Sequence, residues 1–127
     1  MYSALIIEDD NTVQAYLKRI LVVKFGFTVY QAFNGIEGLK KLDESTPDVI
    51  LLDHSMPFMD GVEFLQTLKK QNKYKNIPIF VISASNESDT IKEMLNLGVV
   101  DYILKPIDPE MTYERIKKAI IHLKKKG

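Results

Sequence analysis

The chain has 127 residues, 46% of them hydrophobic and 27% charged, which is the material of one domain with a buried core. Its 17 basic and 17 acidic residues cancel, and only Arg19 and Arg115 are arginines, so no direct nucleic-acid binding by a basic face is expected. It has no cysteine, which excludes a disulfide scaffold, a thiolate metal site and a cysteine nucleophile.

The first apolar run, Ala4–Ile7, reads as a strand and ends in acid. It is too short for a signal peptide or a membrane span, and the chain is expected to be cytoplasmic, with no membrane contact. Val13, Leu17, Ile20 and Leu21 then recur at helical spacing. Thr28–Ala32 is a more mixed strand, which suits a sheet edge, and Ile36, Leu39 and Leu42 mark a second helix. Val49–Leu52 is a continuous apolar strand, followed by a third helix with the stripe Val62, Leu65 and Leu68. Ile79–Ile82 is a fourth strand, with Ile91, Met94 and Leu95 on the helix after it. Asp101–Leu104 is a fifth strand, and Ile116, Ile120 and Leu123 mark a fifth helix. Asp108-Pro109 opens that helix, with Asp as N-cap and Pro at the first helical position. Gly26, Gly35, Gly61 and Gly98 stand at the joints, where backbone conformations awkward for other residues are expected.

Near-continuous Val/Ile/Leu/Phe strands alternating with amphipathic helices predict an α/β fold: a doubly wound, five-stranded parallel sheet with helices on both faces, residues 1–127 forming a single domain. In such sheets ligands sit beyond the carboxyl ends of the strands. Those ends carry Glu8, Asp9 and Asp10, then Asp53, Ser83 and Lys105-Pro106. Carboxylates brought together repel one another and call for a cation; hard oxygen ligands with few protein donors favour Mg²⁺. A metal on the acids and an ammonium opposite them are what phosphoryl transfer needs, since that chemistry is mostly positioning and charge stabilisation. Taken singly these residues mean less. Asp10 or Asn11 can cap the first helix, Asp53 can end a strand in a turn, Ser83 is an ordinary strand-end residue, and Lys105 an ordinary solvated one.

The stretches Leu5–Asp10 (LIIEDD), Asp48–Gly61 (DVILLDHSMPFMDG), Ile82-Ser83-Ala84 and Asp101–Pro106 (DYILKP) together resemble the receiver domains of two-component response regulators. The separations agree with that family too: 83 − 53 = 30 residues from Asp53 to Ser83, and 105 − 53 = 52 from Asp53 to Lys105. The resemblance covers essentially the whole chain and implies the flavodoxin-like strand order 2-1-3-4-5. It implies that Asp53 is the phosphoacceptor, with Ser83 and Lys105 in the reaction site and Mg²⁺ on Glu8, Asp9, Asp53 and the backbone carbonyl of Ser55. Ser83 resembles the family's switch hydroxyl and Tyr102 the aromatic that moves with it, rotating inward from outside. Asp10 follows the acidic pair and is not read as a ligand. A cis peptide is implied at Lys105-Pro106.

The function implied is phosphorelay signalling, not turnover of a substrate. A histidine kinase or phosphotransfer protein supplies the phosphoryl group. The face made by the fourth helix, fifth strand and fifth helix then changes shape for a downstream target or an output domain. No output domain is read after the fifth helix, so the chain is expected to be a stand-alone receiver or a piece of a longer regulator. It is expected to be a monomer or a weak phosphorylation-dependent dimer: Asp101 and Arg115 resemble part of a dimer-bridging set, but Val100 stands where a second acid is usual. Ser55 and Ser85 occupy positions at which the family varies and tunes phosphate lifetime. His54 is not read as a partner of Asp53, because strand neighbours point to opposite faces, and His122 reads as a surface residue. Lys117, Lys118, Lys124, Lys125 and Lys126 solubilise the last helix and suit its C-terminal dipole.

Other chemistries fit less well. A dehalogenase-like phosphatase wants a second acid where Ser55 stands, and a flavodoxin-type carrier would place the flavin phosphate against Glu8-Asp9-Asp10. The nucleotide-binding GxxxxGK[ST] signature is absent. A degenerate receiver that binds partners without phosphorylation is the nearest rival, and the intact acids and lysine argue against it.

Overall fold

In the computed structural model, which describes residues 2–56 and 58–126 (residues 122–126 by backbone alone), strands and helices alternate along the chain. They are β1 (Ser3–Ile7), α1 (Asn11–Phe25), β2 (Thr28–Ala32), α2 (Gly35–Ser45), β3 (Val49–Asp53), α3 (Gly61–Lys69), β4 (Ile79–Ser83), α4 (Ser88–Asn96), β5 (Asp101–Leu104) and α5 (Pro109–Lys126). A 3-10 turn, Asn72–Tyr74, lies between α3 and β4. The five strands form one parallel sheet in the order β2-β1-β3-β4-β5, so the mixed strand β2 is at an edge, as its composition predicts.

Side-chain alternation divides the core in two. Leu5, Ile7, Ile50, Leu52, Val81 and Tyr102 face Leu42, Phe64, Leu65 and Met94 of α2, α3 and α4. Ala4, Ile6, Leu51, Phe80, Ile82 and Ile103 face Leu17, Leu21, Ile116 and Ile120 of α1 and α5. The central strands β3 and β4 are buried along their whole length, which accounts for their unbroken apolar runs. Among the described residues no helix is long and apolar enough to cross a membrane.

Local signals set the helix starts. Asp10 caps α1 by accepting from Val13 N at 2.9 Å, and Asp60 caps α3 in a reciprocal capping box with Glu63. Asp108 accepts from Met111 N at 3.1 Å ahead of Pro109, as predicted for α5. The glycine joints divide by cause. Gly26 and Gly98 have the left-handed φ values of 69° and 90° that favour glycine. Gly35 and Gly61, by contrast, are helical, and contact explains them instead: a Cβ on Gly61 would lie 3.1 Å from the Asp53 carbonyl oxygen.

Two helix stripes differ from the pattern read in the sequence. Ile36 is exposed, and α2 turns Gly35, Gly38 and Leu42 inward. The helix sits so close to β1 that its inner face needs glycine. Leu95 is also exposed, so that Met94 alone of α4 is fully buried. Phe64, absent from the predicted α3 stripe, is one of the largest wholly buried side chains. The readings for His122, Leu123 and Lys124–Lys126 fall outside the described side chains.

Arg115 of α5 pairs with Asp101 of β5 at 2.5 Å within the chain, joining two residues that resemble part of a dimer-bridging set. Tyr74 hydrogen-bonds to Asp43, tying the loop before β4 to α2.

A Cβ at Gly38 would approach Ile7 Cδ1 to 2.6 Å and Phe64 Cε2 to 3.2 Å, both on fully buried side chains. Gly38→Ala should therefore lower stability by about 1 kcal/mol or more, because overpacking outweighs the roughly 1 kcal/mol gained in helix propensity. Urea denaturation measures the sign, and a stabilised variant would contradict the close α2–β1 contact.

Candidate functional site

The site is built by backbone bonds that run one step past the strands. Glu8 N donates to Ala32 O at 3.0 Å, His54 N to Ile82 O at 3.0 Å, and Lys105 N to Ser83 O at 2.8 Å. Each parallel ladder is thus extended just far enough to fix a functional residue or its neighbour. Asp53 and Ser83 are the last residues of their strands, one position earlier relative to the strand end than the sequence suggests. In register Asp53 stands opposite Ile82, which places Ser83 one residue further along the neighbouring strand. The Lys105-Pro106 peptide is cis, as expected.

These placements bring Glu8, Asp9 and Asp53 together, with one carboxylate oxygen from each within 4.8 Å of the others. Glu8 and Asp53 are buried, at 1% and 3% exposure, whereas Asp9 is open to solvent. Lys105 Nζ lies 2.8 Å from Glu8 Oε1 and 3.5 Å from Asp53 Oδ1, bridging the two buried acids. The Glu8 contact is an ion pair without hydrogen-bond alignment, so Glu8 Oε1 is buried with no hydrogen-bond donor. The other Glu8 oxygen accepts from Asp10 N at 3.2 Å.

The charges are in conflict. Burial, reinforced by the adjacent Asp53, pushes the Glu8 carboxyl from 4.5 up to about 8. Burial also raises Asp53, against the lowering effects of Glu8 and Lys105. For Lys105 burial disfavours the ammonium, but Glu8 and Asp53 outweigh it, and the pKa is raised. One ammonium does not offset two buried carboxylates, with a third beside them. An orphaned carboxylate oxygen and three hard oxygen donors facing one another fit a small divalent cation.

Ser83 is buried and its Oγ accepts from Ser85 N at 3.0 Å. Tyr102 reaches the same loop residue: its hydroxyl donates to Ser85 O at 2.9 Å. The ring is only 8% exposed. Tyr102 is therefore already inside, in contrast to the outward starting position expected of it. Ser55 is exposed, and its N–H lies 3.4 Å from Asp53 Oδ1. His54 is half-buried beside the acceptor. Asp10, as expected, serves the helix as its cap.

Sequence reasoning missed Gln14. It is 1% exposed, on the inner face of α1, and its side chain bonds to the ends of β1 and β2. A signal was present, since residue 14 falls at helical spacing from Leu17 and Leu21 and a polar residue on an apolar stripe must find partners.

With this geometry in view, similarity to known proteins is specific. The family model described as the response regulator receiver domain matches residues 4–117. The probable C4-dicarboxylate response regulator DctR of Bacillus subtilis is 40% identical over 118 residues, which are 92% of this chain and 51% of that protein. The sensor histidine kinase CheAY of Helicobacter pylori is 34% identical over 121 residues, 94% of this chain and 15% of the kinase. The chain thus spans about half the length of the DctR relative. A CheY-like receiver domain protein from Methanospirillum hungatei superposes with a TM-score of 0.89 at 28% identity, covering 100% of this chain and 99% of its own. The Vibrio cholerae chemotaxis protein CheY4 gives 0.85 at 27% identity, covering 93% and 98%. The fold with five parallel strands in the order 2-1-3-4-5 matches these solved neighbours, the family model covers most of the sequence, and the chain belongs to the response regulator receiver domains of two-component signal transduction.

Proposed function

We propose that Asp53 is the phosphoacceptor of this receiver and that a histidine kinase or phosphotransfer protein is the donor. The observation that carries the reading is the cluster of Glu8, Asp9 and Asp53 with Lys105 bridging its two buried members. Glu8, Asp9, Asp53 and the backbone carbonyl of Ser55 would hold Mg²⁺, which supplies charge neutralisation between the carboxylates and the incoming phosphoryl oxygens.

The chain's own residues do the rest. An Asp53 carboxylate oxygen forms the new bond to phosphorus as the donor's P–N bond breaks. Lys105 pairs with the phosphoryl oxygens, and the Ser83 hydroxyl donates a hydrogen bond to one of them. A phosphoryl group adds about −1.5 to −2 charges and three strong acceptors, so the Ser83 hydroxyl is drawn toward it. That movement gives up the bond from Ser85 N. The loop held between Ser83 and Tyr102 is then free to shift, and with it the face formed by α4, β5 and α5. A downstream target or output domain that binds only the shifted form biases the equilibrium by its differential affinity. The domain promotes only its own Mg²⁺-dependent phosphorylation and dephosphorylation.

Asp53→Asn should abolish phosphorylation by acetyl phosphate, read by mass spectrometry, while making the metal-free domain more stable. The sign follows from the raised carboxyls. A group raised on folding contributes stability in full below its ordinary pKa of 4.5, and for Glu8 that contribution is lost as pH rises through about 8. Removing one of the paired charges should raise stability by on the order of 1 kcal/mol, roughly 4 °C in Tm, and flatten the loss toward alkaline pH. Phosphorylation that persists in this variant would remove Asp53 from its role.

Asp9→Ala should eliminate Mg²⁺ binding and phosphorylation without loss of fold. A Mg²⁺ titration indistinguishable from wild type would exclude Asp9 as a ligand. Ser83→Ala should still accept beryllium fluoride with Mg²⁺, but NMR shifts beyond the Ser85 loop should be strongly reduced. Equal distant shifts in both proteins would separate Ser83 from the switch.

A further inference from the structure

Among the described residues the buried polar ones are Glu8, Gln14, Asp53, Ser83 and Thr112. Three of these belong to the acceptor site, whereas Gln14 has no part in the reaction as described. Its bonds explain its burial. Nε2 lies 3.1 Å from Ile6 O, 3.0 Å from Glu8 O and 2.7 Å from Ala32 O, so its two N–H groups are shared among three carbonyls. Oε1 accepts from Gln31 Nε2 of β2 at 3.1 Å.

The same residue also bonds through its backbone, since Gln14 N donates to Asp10 O at 3.0 Å. Both ends of the acidic turn are therefore held at residue 14: the carbonyl of Glu8 by the glutamine side chain, and the carbonyl of Asp10 by the helical main-chain bond that any residue here would make. Asp9 lies between the two grips. The β1 end is held a second time from β2, because Ala32 O accepts from Glu8 N as well as from Gln14. Two like-charged carboxylates on one short turn spread apart unless the backbone beneath them is held, and a leucine at this position would keep the packing and the main-chain bond but lose the side-chain bonds to Ile6, Glu8 and Ala32.

We propose that Gln14 is a positioning residue for the metal site. It holds the Glu8–Asp10 turn against the ends of β1 and β2, so that the carboxylates of Glu8 and Asp9 stay at the separation a divalent cation requires. This rests on the reading of Glu8, Asp9 and Asp53 as Mg²⁺ ligands. Gln31 supports it by fixing the orientation of the amide, which presents its N–H groups, not its oxygen, to the carbonyls.

The test is Mg²⁺ titration of the 127-residue chain, followed by backbone amide NMR shifts, alongside thermal unfolding without metal. The proteins compared are wild type, Gln14→Leu, Gln31→Ala and Ile79→Val, the last a core change at the opposite end of the sheet. Gln14→Leu should weaken Mg²⁺ binding about tenfold or more, the usual effect of losing an outer support of a metal site. Gln31→Ala should weaken it by a smaller factor, and Ile79→Val should lower Tm with affinity unchanged. Wild-type affinity in Gln14→Leu overturns the inference, as does an equal loss in Ile79→Val, which would trace the effect to general stability. Should Gln14→Leu not fold, Gln31→Ala decides, and unchanged affinity there overturns it. A wild-type protein that binds no Mg²⁺ sinks the metal reading itself, visible before any variant is compared.

Discussion

Two carboxylates, Glu8 and Asp53, are held almost out of water beside a single ammonium, and most of the molecule is arranged around keeping them there. Left to themselves the groups would separate or be solvated. They cannot, because each is attached to a central strand of a parallel sheet covered by helices on both faces. A fully buried Leu or Phe contributes about 1.5–3 kcal/mol, and the side chains of β1, β3 and β4 supply many such contributions. That burial opposes the cost of buried like charge. The raised pKa values of Glu8 and Asp53 record this cost, and an incoming cation or phosphoryl-bound metal would relieve it.

The support is uneven across the molecule. The acid-bearing end of β1 is bound through Glu8 N, Gln14 and the Asp10 cap. The other side is looser: α4 has one fully buried side chain, Met94, and no side-chain N-cap bond. Leu95, Val100, Leu104 and Met111 are exposed on α4, β5 and α5 and just before them. A rigid acid cluster beside a loosely held helix is a suitable division of labour for a switch, because elements that move come from the low-stability end of a fold. Ser85 lies where the two regimes meet, bonded through its N–H to Ser83 and through its carbonyl to Tyr102.

Much was legible in the sequence, for reasons that are local. The runs Val49–Leu52 and Ile79–Ile82 read as strands because central parallel strands are apolar on both faces. Asp10 and Asp108-Pro109 read as helix starts because capping involves only the next three residues. Once the strands were placed, Glu8, Asp9, Asp53, Ser83 and Lys105 had to gather at one edge, since every strand of a parallel sheet ends on the same side.

What the sequence by itself determined, then, was the order of elements, the edge on which the polar residues collect and the family they resemble. Tertiary structure alone decided how closely remote elements approach. Ile36 and Leu95 sit at helical spacing yet face solvent, because α2 meets β1 through Gly38 and α4 touches the sheet chiefly through Met94. Gln14 is a helix residue by pattern and a brace for the acidic turn by contact. Arg115 turned to Asp101 of its own chain, and Tyr102 was found already inside. The same holds for the charge of the site. Periodicity and capping act over a few residues, whereas the Glu8–Lys105 separation of 2.8 Å and the depth of burial that raises Glu8 depend on residues nearly a hundred positions apart in the chain.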